Sequence, residues 1–525
     1  MQPIALNAYD FCGIRTKGTL YVDKTAMLYP LVRNPNDKCF FLSRPRCFGK
    51  SVMLTTLKCL FQGRRDLFKV LAIDKMDYDW VEYPVLCLNF FTVPSYSPEA
   101  FEQGFREAVR WAFREQELDY NPESTPGANV VNAIRTLAAR AGKSVVVLVD
   151  EYDAPISRVM EDAAKATAIR DQLAAFYGEI RGCLDDIRFL MLTGTTERAP
   201  LLDFPALIDL TFAPQVATLL GYTEDELTAY FDEGLRARAQ KTGMTYSEYR
   251  ETLRQWYGGY RFSHAAQPVY NPLVIAKELS ECGGVYGELW PRIGHISLLM
   301  NTLAREGKRA PERLLESDYN HVTVSESEFV WPNLDELNLA TVFYLAGYLT
   351  IKDYDPATAT YTLGATNRAT LRDLSYLLVD RLTTGGDNFW YCQVRSAFLD
   401  DNQSSFLSRF QYFYETALSP RLQGRCMPPV AYRNLLIACL RNLCFEVVIE
   451  DAQPQDPAFL VARWRANVYL FALKFDGSAE EALAQIRDSR CDLPYLASAQ
   501  TIHRIGLVFD LKTHQLLDTA IETVH

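Results

Sequence analysis

The sequence FFLSRPRCFGKS at residues 40–51 runs from an apolar strand into a Gly-Lys-Ser turn. A strand, such a turn and a following helix form a loop that holds nucleotide phosphates, because backbone N–H groups and the helix N-terminus face the same anion. In such a loop a lysine contacts the β and γ phosphates and a hydroxyl ligates Mg²⁺. Lys50 and Ser51 match these roles, and Gly49 provides the turn. The full pattern also requires a glycine where Arg44 stands, so the match is incomplete.

The residues after the turn supply the helix that the loop requires. Apolar side chains recur at helical spacing from Val52 to Phe61, and Gly63 follows as a stop signal. A strand, a loop and a helix therefore occur in the required order, which predicts ATP as the ligand.

The run SVVVLVDE at residues 144–151 has the pattern of a buried parallel strand that ends in two carboxylates. This Walker B pattern predicts that Asp150 holds the metal, directly or through water, and that Glu151 polarises the attacking water. The alternative is a core strand that ends in acidic residues without a catalytic role.

A third strand, at residues 187–196, ends in hydroxyl side chains. A related ATPase has a polar group near the γ-phosphate at this place, so Thr193 is predicted as a sensor, with Thr195 as the second candidate. The alternative is that these threonines only cap the strand and begin a turn. Arg44 and Arg46 are predicted to bind phosphate through their guanidinium groups, or else to pair with acidic residues elsewhere.

Several motifs together resemble the AAA-ATPase-like proteins of bacteria, which usually carry a C-terminal PD-(D/E)XK nuclease-type domain. The motifs are LYVDKT at 20–25, SRPR and FGKS within 43–51, DEYD at 150–153, LGYTEDE at 220–226, WYGGYRF at 256–262, YNP at 270–272 and GYLTI at 347–351. The resemblance extends through the whole chain. The family also lacks the first glycine of the loop, and it commonly has arginine where this chain has Cys47.

The element order and the resemblance predict an α/β fold in four parts. Residues 1–220 form an AAA-like P-loop NTPase domain with a parallel sheet, and 221–290 form a helical lid. Residues 291–394 form a helical, winged-helix-like module, and 395–525 form an α/β restriction-endonuclease-like PD-(D/E)XK domain. In the lid, Arg261 is a candidate second sensor of the nucleotide, unless the aromatic turn around it is purely structural.

The middle module contains a predicted β-hairpin, with strands at 348–352 and 360–363. A hairpin after helices is typical of a winged helix, but no helix rich in lysine or arginine accompanies it. The module is therefore predicted to pack against other elements or to bind a partner.

The last domain retains the pattern of the nuclease fold but not its metal ligands. Such a site needs two carboxylates and a lysine on adjacent strands. Lys474 is present, but Ala472 stands where a carboxylate is required, and Phe459 stands close to the place of the family's aspartate. The acids that could supply displaced ligands are Asp456, Asp476 and Glu446. We therefore predict an inactive nuclease-like domain.

Composition limits the classes of protein that this chain can represent. Its 525 residues are 48% hydrophobic, enough for several cores. The twelve cysteines lack the spacing of zinc sites, which predicts reduced thiols in a cytoplasmic protein. A formal charge of −11 does not favour nonspecific binding to nucleic acid. The N-terminus lacks the pattern of a signal peptide, and no run approaches the length of a membrane span.

Together these features predict an Mg²⁺-dependent, AAA-like ATPase whose nucleotide state controls C-terminal interaction modules. This prediction requires Lys50 and Asp150 to meet around a metal-bound triphosphate. The alternatives are a nonhydrolysing nucleotide-gated interaction protein and a DNA-processing PD-(D/E)XK nuclease coupled to the ATPase. The sequence leaves a protein partner or a homo-oligomer open and predicts no association with a membrane.

Overall fold

The computed structural model describes residues 2–4, 6, 9–196, 204–205, 207–280, 315, 319–329, 338–382, 394, 396, 403–425, 427–443, 445–448, 459–464, 466–496 and 501–524. These residues fall into two compact units. The first is drawn from 1–306 and 321–370, and the second from 307–320 and 371–525.

A parallel sheet forms the centre of the first unit. Its strands lie in the order β2-β3-β4-β1-β5, and all neighbouring pairs are parallel. They are β1 (Cys39–Ser43), β2 (Val85–Asn89), β3 (Val145–Asp150), β4 (Ile187–Gly194) and β5 (Ile208–Asp209). Both β1 and β3 are buried along their whole length, as expected for parallel strands inside an α/β fold. The predicted parallel α/β sheet is therefore confirmed.

The first unit also contains a series of helices. They are α1 (Phe11–Thr16), α2 (Thr25–Arg33), α3 (Lys50–Phe61), α4 (Arg65–Phe68), α5 (Pro98–Arg114), α6 (Pro126–Ala141), α7 (Ala154–Ser157), α8 (Ala163–Arg181), α9 (Glu224–Thr242), α10 (Tyr246–Tyr257), α11 (Pro272–Leu279), α12 (Glu326–Phe329) and α13 (Leu339–Leu345). Helices α9–α11 occupy most of the segment predicted as a lid, and residues 281–290 of that segment lie outside the described residues.

A capping box begins the first helix of this segment. The backbone N–H of Glu226 donates to the Thr223 hydroxyl at 3.3 Å, and the backbone N–H of Thr223 donates to the Glu226 carboxylate at 2.8 Å. Two N–H groups that a helix start leaves without partners are thus satisfied, as the Thr-x-x-Glu spacing at residues 223–226 indicates.

The first unit also contains a small antiparallel sheet. Its strands are β6 (Val322–Ser325), β7 (Leu349–Asp355) and β8 (Thr360–Ala365), in the order β6-β8-β7. Strands β7 and β8 are the predicted hairpin. This sheet belongs to the first unit, so the predicted module at 291–394 is divided between the two units at residue 370. Much of the remainder of that module lies outside the described residues.

The second unit contains a separate mixed sheet. Its strands β9 (Glu446–Val448), β10 (Phe459–Trp464), β11 (Asn467–Lys474), β12 (Thr501–Phe509) and β13 (Leu516–Val524) lie in the order β13-β12-β11-β10-β9. The helices are α14 (Arg368–Leu382), α15 (Gln403–Phe413), a π-helical turn at Tyr414–Leu418, α16 (Ser419–Leu422), α17 (Pro429–Asn442) and α18 (Ala479–Ser489). Helix α18 connects β11 to β12, which is the only parallel pair among these described strands. The identity of this sheet as nuclease-like stays a prediction.

Within the part of the chain that the structure describes, no helix is both long and apolar enough to cross a membrane.

Candidate functional site

The P-loop, residues 44–49, connects the end of β1 to the start of α3. Gly49 has a φ of 101°, in the left-handed region that favours glycine, and α3 begins at the next residue. Cys47 is also left-handed, with a φ of 63°. This path brings the N-terminus of α3, which attracts anions, to the edge where the parallel strands end.

Lys50 is buried beneath the P-loop, with 4% of its side chain exposed. Its Nζ donates to the carbonyl oxygens of Arg44 at 2.9 Å and Pro45 at 3.4 Å. The same Nζ lies 3.3 Å from Oε1 of Glu151. Removing an unpaired ammonium group from water costs free energy, and these partners offset that cost.

Polar side chains from three strands and α3 meet around Asp150. Asn89 and Asp150 are register partners on β2 and β3, and Thr193 on β4 directly follows the partner of Val149. Oδ2 of Asp150 accepts hydrogen bonds from Ser51 Oγ at 2.6 Å and Asn89 Nδ2 at 3.3 Å. Its Oδ1 accepts from Thr193 Oγ1 at 2.9 Å. The end of the loop and the acidic strand end therefore meet, as the sequence analysis required.

Burial changes the acidity of Asp150. Removal from water raises the pKa of its carboxyl group, and the charge of Glu151 raises it further. Hydrogen bonds from Ser51 and Thr193 and the charge of Lys50 oppose this shift without cancelling it. A cation beside Asp150 would favour the ionised form.

Glu151 begins a turn whose backbone is fixed by hydrogen bonds between Asp153 and the residues after β4. Its φ of 54° is uncommon for a residue with a side chain. Two residues later, the buried carboxylate of Asp153 accepts hydrogen bonds from the N–H groups of Thr195 at 3.2 Å and Thr196 at 2.6 Å. The Thr196 hydroxyl also donates to it, at 2.6 Å. Asp153 thus fixes the turn at Glu151 against the end of β4.

Sequence reasoning missed the roles of Asn89 and Asp153. Asp153 is visible as the last acid of the DEYD motif, but only the fold directs it away from the cavity and onto the end of β4. The position of Asn89 beside Asp150 follows from strand order, which the sequence did not provide. Thr195 contributes its N–H to Asp153, so Thr193 is the threonine whose hydroxyl reaches Asp150.

A cavity of about 730 Å³ lies over this cluster. Its polar lining includes Arg46, Lys50, Ser51, Asn89, Asp150 and Glu151. Its apolar lining includes Leu20, Tyr21, Val22, Leu220, Tyr222 and Phe231. The volume is within the range of small-molecule sites, so the cavity suits a ligand with a charged part and an apolar ring.

The two arginines of the loop have different positions. Arg46 lines the cavity, and its guanidinium carbon lies 5.2 Å from the ring centre of Phe91. Arg44 is not among the residues that line the cavity. It is 1% exposed, and its Nη1 donates to the carbonyl oxygens of Ser43 at 2.7 Å and Thr211 at 2.8 Å. The structure therefore gives Arg44 a different role from the phosphate contact that the sequence predicts, because its side chain turns into the core.

Residues 3–199 match the family described as "Predicted AAA-ATPase". The matched segment contains the P-loop, Asn89, Asp150, Glu151 and Thr193. The N-terminal region is therefore similar to the AAA-ATPase-like family.

Three further proteins are similar to this chain. An uncharacterized protein in the vnfD 5′ region of Azotobacter chroococcum mcd 1 is 27% identical over 524 residues, which cover 96% of this chain and 95% of that protein. The Aeropyrum pernix Orc1 protein, solved in complex with DNA, is 13% identical, with 68% of this chain and 91% of that chain covered and a TM-score of 0.20. Cdc6p from Pyrobaculum aerophilum is 12% identical, with coverages of 73% and 97% and a TM-score of 0.20.

Arg261 is not among the residues that line the N-terminal cavity. Its backbone N–H donates to Thr350 Oγ1 at 2.6 Å, and its Nη1 donates to the carbonyl oxygen of Lys352 at 3.4 Å. This arrangement favours the structural alternative for the aromatic turn at 256–262 over a second sensor.

A second cavity lies in the C-terminal unit, beside the end of β11. It contains Lys474, whose Nζ lies 3.2 Å from Oε2 of Glu481. Ala472 pairs directly with Phe459 across β10 and β11, so neither of these neighbouring positions carries a ligating atom. No group of three or more metal-ligating side chains occurs among the described residues, and Asp456 lies outside them.

Proposed function

We propose that this protein binds ATP together with Mg²⁺ in the N-terminal cavity and hydrolyses it. The contact that carries the proposal is the 2.6 Å hydrogen bond between Ser51 on α3 and Asp150 on β3. It joins the two motifs, which are 99 residues apart in the chain, at one point next to a buried lysine.

The donor set fits a hard divalent cation. Ser51 uses its proton on Asp150, so the oxygen lone pairs of its hydroxyl remain available, and Asp150 adds a carboxylate. Mg²⁺ prefers oxygen ligands of this kind and usually keeps several waters. When bound, the ion would neutralise the charge that develops on the phosphates.

Lys50 is proposed to bind the β and γ phosphates. Its present partners are two loop carbonyls and Glu151, all of which a phosphate can replace as acceptors. Arg46 at the cavity wall adds a second cation, and the N-terminus of α3 supplies backbone N–H groups.

Glu151 is proposed to orient the attacking water and to accept its proton. When a phosphate draws Lys50 away, the ion pair between Lys50 and the carboxylate of Glu151 is broken, and the carboxylate is proposed to turn toward the water beside the phosphate. Thr193 is proposed to hold Asp150 in place through the hydrogen bond to Oδ1, and to act on the γ-phosphate only through that carboxylate.

A nonhydrolysing nucleotide-gated protein is the second candidate, because Glu151 is paired with Lys50 in this arrangement. Steady-state phosphate release separates the two candidates. We expect wild type to release phosphate about 100-fold faster than Glu151→Gln, the loss typical of a removed general base, while both bind labelled ATP. Equal, background release with intact binding would favour the nonhydrolysing protein, and absence of saturable ATP binding would refute both.

A further inference from the structure

Two side chains of the P-loop contact the aromatic turn, residues 256–262. Phe48 packs edge-on against Tyr260 and Phe262, with ring centres 4.9 Å and 5.2 Å apart. The guanidinium carbon of Arg44 lies 4.3 Å from the ring centre of Phe262. All of these side chains are buried. A desolvated cation–π contact contributes about 2 kcal/mol, so the loop and the turn are strongly coupled.

Arg44 also connects this contact to the lysine of the site. Its carbonyl oxygen accepts from Lys50 Nζ at 2.9 Å, while its side chain stacks on Phe262. One residue therefore contacts the phosphate-binding lysine through its backbone and the aromatic turn through its side chain.

The turn also forms hydrogen bonds with the small sheet β6-β8-β7 and with the residues that follow it. Thr350 on β7 accepts from the N–H of Arg261 at 2.6 Å, and its hydroxyl lies 3.3 Å from the Arg261 carbonyl oxygen. Asn367 donates to the carbonyl oxygen of Gly258 at 2.8 Å.

The backbone of the turn also approaches the sheet very closely at Gly259. This residue has a φ of 94°, and a Cβ there would lie 2.4 Å from the carbonyl oxygen of Thr366. The turn is thus packed between the P-loop and the small sheet without room to adjust independently.

Binding of a phosphate requires Lys50 to exchange its partners, which changes the hydrogen bonding of the loop at Arg44 and Pro45. Packed interiors shift between discrete arrangements instead of deforming gradually. A shift of the loop must therefore be accommodated at the rings of Phe48 and Phe262, and then at Thr350.

We infer that Arg44 and Phe48 are positioning residues for the P-loop, and that the aromatic turn makes the small sheet respond to the nucleotide bound at Lys50. The inference rests on the proposed nucleotide site. It identifies β7 as a region, outside the cavity, whose stability depends on the ligand.

The test uses hydrogen exchange of the full chain with and without ATP and Mg²⁺, together with the affinity for labelled ATP. Thr350→Val preserves shape and strand propensity but removes the hydroxyl that holds Arg261. The matched control is Thr341→Val on α13, because Thr341 is another buried threonine of the first unit whose hydroxyl donates to a backbone carbonyl, that of Glu328, at 3.2 Å.

We expect ATP to slow exchange of the Leu349–Asp355 amides about fivefold in wild type and in Thr341→Val, and to have no effect on them in Thr350→Val. Because coupling is reciprocal, Thr350→Val should also weaken ATP binding about fivefold. Phe262→Leu, which keeps an apolar side chain but removes the ring, should give the same pattern, and it serves if Thr350→Val fails to fold.

Three outcomes would overturn the inference. If ATP binds but exchange in β7 does not change, the inference fails and the proposed function stands. If Thr341→Val behaves like Thr350→Val, the effect is a general loss of stability and the inference fails. If wild type does not bind ATP at all, both the inference and the proposed function fail.

Discussion

The N-terminal and C-terminal cavities each contain a lysine whose ammonium group lies against a glutamate. Lys50 and Glu151 are 3.3 Å apart with 4% and 14% of their side chains exposed, whereas Lys474 and Glu481 are 3.2 Å apart with 24% and 60% exposed. The distances are nearly equal, but the surroundings are not.

The difference lies in what surrounds each pair. At the N-terminal cavity, strand ends and a helix start place two hydroxyls and an amide around the carboxylate of Asp150. The C-terminal cavity is lined by Phe459 from β10 and by the carboxylates of Asp476, Glu481 and Asp488, and Ala472 is not among its lining residues. A lysine–glutamate pair therefore occurs in both cavities, and the two cavities differ in the polar side chains that are gathered around the pair.

The strongest test of this comparison removes each lysine in turn. We expect Lys50→Ala to weaken ATP binding about 100-fold, because truncation of a buried charged contact costs about 2–5 kcal/mol. Lys474→Ala is the matched control and should leave the affinity unchanged. Titration of labelled ATP in Mg²⁺ measures both, and equal losses in the two variants would contradict the distinction between the cavities.

A second test removes the carboxylate at the centre of the N-terminal cluster. Asp150→Asn should weaken ATP binding about tenfold in Mg²⁺, the lower range for loss of a group that supports a metal, and should have no effect in EDTA. An equal loss with and without Mg²⁺ would mean that Asp150 does not act through a metal.

The same variant should be more stable than wild type. Because the pKa of Asp150 is raised in the folded state, its contribution to stability is present below the unfolded pKa and is lost as pH rises through the folded pKa. At pH 8 the ionised, buried carboxylate therefore carries a cost, and Asp150→Asn should raise the free energy of unfolding by about 1 kcal/mol. Urea denaturation measures this, and a loss of stability would show that the hydrogen bonds outweigh burial.

The pH dependence of binding gives a smaller effect. A raised pKa means that Asp150 takes up its proton at a higher pH than an ordinary aspartate, whose pKa is about 3.9. We expect Mg²⁺-dependent ATP affinity to fall on acidification from pH 7 toward pH 5 more steeply in wild type than in Asp150→Asn. The variant corrects for titration of the ligand itself, and parallel curves would contradict the prediction.

The last prediction is that Lys474→Ala leaves DNA cleavage unchanged. Incubation of DNA with Mn²⁺ should give the same background cleavage with wild type and with Lys474→Ala, because Ala472 and Phe459 cannot ligate a cation. Cleavage by wild type that disappears in Lys474→Ala would show that acids elsewhere complete the C-terminal site.

The sequence predicted those parts of the fold and site that lie within one continuous stretch. Local turn chemistry and side-chain periodicity, which neighbouring residues determine, predict three of these parts. They are the loop ending at Gly49, the helix after it, and the two carboxylates at the end of β3. The hairpin of β7 and β8 and the capping box at Thr223 are local for the same reason.

Contacts between distant segments could not be predicted in this way. Three features of the site depend on strand order and on the packing of the segments around the P-loop. They are the pair of Lys50 with Glu151, the place of Asn89 beside Asp150, and the inward turn of Arg44 onto Phe262. The assignment of the small sheet to the first unit has the same origin. Local sequence determined which residues could bind a phosphate or a metal, and only the tertiary structure decided which of them meet, because partners far apart in the chain are selected by register and packing.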